Sequence, residues 1–381
     1  MINNLCIITS YYPSKEDPHY AFVGTLVEAF ADMGIECTVI SPSSWIEKKH
    51  KAKTRVEYSK KGKAIRVYCP RFFVFPNRNI LGFRTYKLTV ASENRAIWRV
   101  FKKHIKRCDA IYSHFVSSGV SAATLNKKTG LPAFLACGES NIYASSLIYE
   151  TSKDILSKNL SGIIAVSSEL KDRITEIGFA GESTPIKVVP NAINLDVFHK
   201  ENQQESRKKK GYNGDDFVIA FVGGYIKRKG FDILQTVLTR HQDWKCILIG
   251  RGEIPITLPK EQVLFSGKLS HDMIPEYLNC ADVFVLPTLE EGCCNAIIEA
   301  MGCGLPIISS DRRFNDDILN EKVAIRIDPE KADEIEAAIM KIYEDKKLRK
   351  QMSINAELHA KDFSIEKRAR SIISFIEDNI R

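Results

Sequence analysis

The sequence predicts an α/β protein made of two Rossmann-like, doubly wound domains facing across a cleft. Short apolar runs of strand length recur through both halves of the 381 residues, with helical or loop segments between them. A strongly polar run near residue 200 divides that pattern in two. The stretch Asp282 to Ser310, DVFVLPTLEEGCCNAIIEAMGCGLPIISS, reads as strand, turn, helix and strand in succession. A chain of this length fits two domains of ordinary size, each able to bury its own core.

In chain order, the start MINNLCIITSYYPS lacks the basic opening and long apolar core of a secretory signal, and reads as a first strand entering a loop. No apolar run approaches the roughly 18 residues of a spanning helix, so a cytoplasmic protein is expected. Strands are predicted at Leu5 to Thr9, Thr38 to Ile40, Ala64 to Tyr68, Ala110 to Tyr112, Ala133 to Ala136, Gly162 to Val166 and Ile186 to Val189. Their alternation with helical segments gives a parallel, helix-covered sheet.

Charge is uneven along the chain. Between Trp45 and Arg107 stand nineteen Lys and Arg against three acids, so this window carries +16 of a net +8 and the remainder sums to −8. Such asymmetry points to an anionic surface partner. Within the window, PRFFVFPNRNILGFR interleaves Arg71, Arg78 and Arg84 with Phe72, Phe73, Phe75 and Phe83, a mixture suited to a lipid headgroup interface. Ser92 to Arg107 then reads as a helix with Ile97, Trp98, Phe101 and Ile105 on one stripe and basic residues around it, and for this helix alone the favoured reading is a sheet-covering helix whose charged face is solvated. Nucleic acid would use the same charges, but no nucleic-acid motif accompanies them and none is expected as partner.

Ten cysteines form no pair of Cys-x-x-Cys knuckles, and several lie inside apolar strands, so reduced, buried thiols are predicted. Cys293, Cys294 and Cys303 cluster without a histidine in the segment, and their spacing matches no structural zinc site.

Asn191 to Gly214, with the run ENQQESRKKKGYNGDD, is too polar to pack, and the junction is placed there: residues 1–195 form the first domain and 196–363 the second. Strands recur at Val218 to Val222, Lys245 to Ile249, Val263 to Phe265, Val283 to Leu286, Pro306 to Ile308 and Ala324 to Ile327. Neither half shows G-x-G-x-x-G after its first strand, which argues against a dinucleotide dehydrogenase.

The stretch from Asp282 carries the chemistry. Pro287 bounds the buried run Val283 to Leu286, Asn295 is placed to cap the next helix, and Gly302 and Gly304 end it. That helix starts at the carboxyl edge of a parallel sheet, where the amides of Cys293, Cys294 and Asn295 make an anion site. Glu291 precedes the helix and Glu299 follows eight residues later, so both acids can face one pocket. Phosphates at one end of a ligand and hydroxyls at the other describe a nucleotide sugar. A capped Rossmann-type helix with one acid solvated fits the same spacing.

This spacing, Glu then seven residues then Glu, resembles family 4 of the retaining glycosyltransferases. FVIAFVGGYIKRKG (Phe217 to Gly230), CILIGRG (Cys246 to Gly252), VLFSG (Val263 to Gly267) and VVPNAINLDVF (Val188 to Phe198) resemble that family's landmarks, in its order. The resemblance implies a GT-B fold, with the last helix, Ser364 to Ile380, crossing back onto the first domain. It implies that Lys229, with Arg228 beside it, contacts the donor phosphates, that Glu299 takes the ribose, and that Glu291 orients the transferred sugar. Gly223, Gly224, Cys293, Cys294, Asn295 and Ala296 complete the donor side, and no metal or other cofactor is expected. His114, in DAIYSHFVSSG just past a strand end, resembles a recurrent family histidine and is taken as catalytic; a packed loop residue is the alternative.

Three departures stand out. Gly224 occupies the place of an arginine that usually accompanies the lysine. ACGES puts Cys137 where many members have histidine, with Gly138, Glu139 and Ser140 following as acceptor-side candidates. The usual glycine-rich loop is represented only by PHYAFVG, Pro18 to Gly24. The expected function is transfer of a sugar from a nucleoside-diphosphate sugar to a glycan acceptor, lipid-linked, in bacterial surface-polysaccharide synthesis, by an enzyme peripheral on the inner face of the cell membrane. A nucleotide-sugar epimerase and a non-catalytic binding subunit are the rival readings.

Overall fold

The computed structural model describes residues 1–14, 20–47, 52–80, 83–139 and 146–380. They form two compact units, Met1–Val189 with Ile365–Arg381, and Pro190–Ser364.

The first unit contains β1 (Asn4–Thr9), β2 (Glu36–Ile40), β3 (Ser43–Ser44), β4 (Thr54–Tyr58), β5 (Ala64–Tyr68), β6 (Arg71–Phe72), β7 (Asn79–Ile80), β8 (Phe83–Arg84), β9 (Ala110–His114), β10 (Ala133–Cys137), β11 (Gly162–Ala165) and β12 (Ile186–Val188). Its main sheet runs β12-β11-β10-β9-β1-β2-β5-β4 and is parallel except for the edge pair of β4 with β5. The central strands are mainly apolar and buried, as helix-covered parallel strands are, with Thr9, Ser113 and His114 the buried polar residues at their carboxyl ends. β4, TRVEY, escapes sequence prediction because it is an edge strand with exposed and half-buried residues alternating, so it has no apolar run. The helix predicted from Ser92 starts earlier, spanning Tyr86–His104; it buries Ile97 and Phe101 and leaves Arg95, Arg99, Lys102 and Lys103 exposed. The helix Ile365–Asp378 belongs to this unit, with Phe375 edge-on to Phe134 at 6.0 Å and Glu377 accepting from the Ile2 amide at 2.8 Å.

The second unit contains β13 (Val218–Val222), β14 (Lys245–Ile249), β15 (Val263–Gly267), β16 (Val283–Leu286), β17 (Ile307–Ser310) and β18 (Ala324–Ile327). They form an all-parallel sheet in the order β15-β14-β13-β16-β17-β18. The strand order reverses between β13 and β16, which places the carboxyl ends of those two neighbours, and the turns after them, at the switch point where such sheets bind ligands.

The polar run predicted not to pack does pack. Gln203–Lys210 is a helix capped by Asn202, whose side chain accepts from the Glu205 amide at 3.1 Å. Arg207 within it is 2% exposed and donates to the Cys280 carbonyl at 2.9 Å and to Asp282 at 2.8 Å. A buried guanidinium with several acceptors satisfies an element that hydropathy alone reads as linker. Among the described residues, no helix is long and apolar enough to cross a membrane.

Candidate functional site

The site in the second unit assembles from the two turns at the switch point. After β13, Lys227–Lys229 makes a short 3-10 turn ended by Gly230 at φ 66°. A Cβ at Gly230 would stand 2.1 Å from the Pro287 carbonyl oxygen, so only glycine permits this turn to lie against the turn that follows β16. The two turns are tied through one atom: the Arg228 carbonyl accepts from the Leu289 amide at 2.8 Å and from the Thr288 hydroxyl at 3.1 Å. The Arg228 guanidinium donates to the Glu290 carbonyl at 2.6 Å.

Glu291 lies in this junction with its side chain only 8% exposed. It accepts from Lys229 Nζ and from the Thr288 hydroxyl at 3.0 Å, and Arg228 stands 3.8 Å away. A carboxylate so enclosed requires paired cations, and here they are the two residues expected to meet phosphate. The structure therefore brings Glu291, Lys229 and Arg228 together, with Thr288 as a member that no sequence signal marks beyond its place after a strand end.

The helix begins at Asn295, with Cys294 at the N-cap position, so Asn295 is not the cap that its residue type suggests. Its side-chain oxygen is buried without a hydrogen-bond partner among the described residues. Burial pushes the Cys294 thiol up to about 12 and raises the Cys303 thiol as well, and Cys293 beside them is buried and outside any disulfide, so Cys294 and Cys303 are packed, protonated thiols. Ala296 follows on the first turn of the helix, half-buried.

Glu299 is buried on the inner turns of the same helix and accepts from His271 Nε2 at 2.8 Å. That hydrogen bond raises the His271 pKa, and the His271 ring lies against Phe198 at 4.9 Å. His271 precedes Glu299 by 28 residues, on a polar turn that the sequence reading passes over. On the far side, Gly250 at φ 149° lies so close to Gly223 that a Cβ would stand 1.8 Å from the Gly223 carbonyl oxygen. Gly223 donates to the Ile249 carbonyl at 2.9 Å, and Gly224 follows it into the turn.

The first-unit candidates occupy the carboxyl edge of the other sheet. His114 is the last residue of β9 rather than a loop residue beyond it, and is 3% exposed. Tyr112 OH lies 3.2 Å from its Nδ1, and burial, with Arg368 adding to it, lowers its pKa to about 3, so the ring is a neutral imidazole. Cys137 ends β10, fully buried, with its thiol pushed well up by burial. Glu139 accepts from the Gly138 amide at 3.0 Å and from the Val116 amide at 2.6 Å, and so closes the start of the helix Val116–Thr129. Ser140 and the residues Pro18 and His19 of the predicted loop lie outside the described residues.

The basic aromatic segment presents Phe73 and Trp45, stacked at 5.9 Å and 61% and 51% exposed, with Arg71 5.0 Å over the Trp45 ring. Phe72 is half-buried in β6, whereas Arg78 is exposed and Arg84 half-buried.

Two family models match the chain: Glycosyltransferase Family 4 over residues 21–197 and Glycosyl transferases group 1 over residues 202–359. TuaC of Bacillus subtilis (strain 168), provisionally named a teichuronic acid biosynthesis glycosyltransferase, is 27% identical over 349 residues, 87% of each chain. An Escherichia coli UDP-Gal:alpha-D-GlcNAc-diphosphoundecaprenol alpha-1,3-galactosyltransferase is 24% identical over 279 residues, 66% of this chain and 70% of its own. Sucrose-phosphate synthase from Thermosynechococcus elongatus superposes with a TM-score of 0.78 at 18% identity, over 99% of this chain and 98% of that one. Anabaena HepE, solved in complex with UDP, superposes at 0.74 with 16% identity, over 99% and 100%. These structures share the GT-B fold. The chain belongs to the group 1, family 4 glycosyltransferases, enzymes that transfer a sugar from a nucleotide sugar.

Proposed function

We propose that this enzyme moves a sugar, with retention of configuration, from a nucleoside-diphosphate sugar held in the second unit onto a lipid-linked glycan during surface-polysaccharide synthesis. The observation that carries the reading is the junction of Lys229, Arg228 and Glu291 at the switch point, with Glu299 on the helix that follows Glu291 and His271 reaching it from the turn His271–Met273. Lys229 and Arg228 offer cations to the leaving diphosphate, a task that in this reading needs no metal. Glu299 accepts from the ribose hydroxyls. Glu291, released from Lys229 as the phosphate takes that ammonium, orients hydroxyls of the transferred sugar. As the bond to the phosphate breaks, positive charge develops on the sugar ring and negative charge on the leaving oxygen, and the acceptor hydroxyl passes its proton to that oxygen. His114 is buried and neutral; its part is to hold the carboxyl edge of the first sheet in place.

The lipid-linked acceptor and an inner-face, peripheral location are supported by the relatives' names and by the exposed Trp45 and Phe73 beside Arg71 in the basic window. The test is a melting-temperature panel with UDP, GDP, ADP and dTDP sugars, followed by release of nucleoside diphosphate with and without a prenyl-diphosphate-linked saccharide. Stabilisation by one donor and release only with acceptor is the expected result. Release that converts donor to an isomeric nucleotide sugar without acceptor marks an epimerase, and stabilisation with no turnover marks a binding subunit.

A further inference from the structure

The switch point of the first sheet lies between β1 and β9, neighbours paired at Thr9 and His114. The residues that follow those strands form a second, unassigned cluster. Tyr11 and Tyr20 stack with ring centroids 5.1 Å apart and remain 44% and 40% exposed. Phe115 and Phe22 brace the Tyr20 ring edge-on, at 5.2 and 5.8 Å. Tyr20, at φ 59°, and Phe115, at φ 74°, are the only non-glycine residues with positive φ among the described residues, and both stand here. Bulky side chains do not adopt that backbone freely, and such strain concentrates where a side chain must be aimed. Next to the aromatic pair, the Ser10 hydroxyl lies 3.0 Å from the Ser117 hydroxyl and 3.1 Å from that of Ser118. Ser10 and Ser117 are half-exposed.

We infer that Tyr11 and Tyr20, with the Ser10 and Ser117 hydroxyls, form a platform for one pyranose ring of the acceptor glycan. This rests on the transferase reading above. A pyranose presents one face of C–H bonds, which packs on the electron-rich face of an aromatic ring, and a rim of hydroxyls, which exchange hydrogen bonds with serines. The charge pattern selects a sugar rather than a phosphate. The positive start of the helix Val116–Thr129 is already occupied by the Glu139 carboxylate, so an anion placed there would meet a carboxylate. A neutral ring with hydroxyls meets no such opposition.

The experiment is saturation-transfer NMR on the full chain with millimolar methyl α- and β-glycosides of glucose, galactose, mannose and N-acetylglucosamine, UDP being present at saturation. At least one glycoside is expected to receive saturation on its ring protons from the wild type, reduced at least fivefold by Tyr11→Ala and by Tyr20→Asn and retained by Tyr11→Phe. Asparagine tolerates the left-handed backbone, so Tyr20→Asn removes the ring while relieving strain, and its melting temperature should not fall. No transfer to any glycoside, or transfer unchanged in Tyr11→Ala and Tyr20→Asn, overturns the platform. The nucleotide resonances, recorded with UDP and in turn with GDP, ADP and dTDP in its place, report separately on the donor reading, which fails if the wild type transfers nothing to any of the four, while the platform stands or falls on the glycosides.

Discussion

At the scale of single residues, two buried carboxylates divide the work by their partners. Glu291 is held by cations, whereas Glu299 is held by an imidazole. Lys229→Ala leaves Glu291 enclosed with the more distant Arg228 and removes the charge proposed to meet the leaving phosphate. Turnover should fall about 100- to 1000-fold, by analogy with loss of one preorganised oxyanion donor. Glu299→Ala should instead weaken nucleoside-diphosphate binding about 10- to 100-fold, the value of a hydrogen bond to a charged group. Both are read by titration calorimetry and steady-state kinetics. The two histidines respond to pH with opposite sign. The His271 pKa rises on folding, so its pairing with Glu299 contributes fully below the ordinary value of 6.5 and fades as pH rises through the raised one. His114 is lowered from 6.5 to about 3, so the unfolded chain takes up a proton that the folded chain refuses, and stability falls as pH drops through that window. The slope is about 1.4 kcal/mol per pH unit, and His114→Leu should flatten it in urea titrations at pH 7 and pH 5.

At the scale of elements, the strands of both sheets were legible because each buried parallel strand is a short, nearly unbroken apolar run bounded by turn residues. β4 was not, since an edge strand facing solvent carries no such run. The helix Gln203–Lys210 was misread as linker for a different reason: it docks through the buried guanidinium of Arg207, and hydropathy does not register an ion pair. Arg207→Met should therefore destabilise the second unit by about 3 kcal/mol, because Asp282 keeps its hydrogen bond from the Val218 amide but stays buried with the more distant Arg349 as its cation. The site was legible in part. Glu291, Glu299 and Lys229 announce themselves by spacing and turn position, but His271 and Thr288 reach the site only through the fold, and a lone polar residue in a turn has no pattern to distinguish it. Asn295 shows the converse, a residue of capping type that sits one position too far into the helix to cap it. Gly230 joins the two turns, and Gly230→Ala meets both a positive φ and the Pro287 carbonyl. It should cost 2 kcal/mol or more, on the order of a strained backbone position, and lower turnover by displacing Lys229, as melting curves and kinetics would show.

At the scale of the whole molecule, the chain joins a second unit, proposed to hold the donor, to a first unit that carries the basic, aromatic surface. The +16 window and its exposed aromatics belong to that first unit. Binding to vesicles rich in anionic lipid should weaken with added salt and fall further in Trp45→Ala with Phe73→Ala, as cosedimentation would show, whereas equal binding to neutral vesicles at every ionic strength contradicts an electrostatic role for the basic window, and no binding to any vesicle contradicts a membrane role. At the carboxyl edge of the first sheet Cys137 is fully buried and Glu139 is spent on closing a helix, while Tyr11 and Tyr20 stand exposed.

The central claim is that the two turns at the second switch point grip a nucleoside diphosphate. It is tested most directly by titrating UDP, GDP, ADP and dTDP into the wild type and into Lys229→Ala and Glu299→Ala by calorimetry. One nucleotide should bind the wild type at 1:1 stoichiometry and bind each variant at least tenfold more weakly. Absence of binding by all four, or wild-type affinity in both variants, would contradict the account.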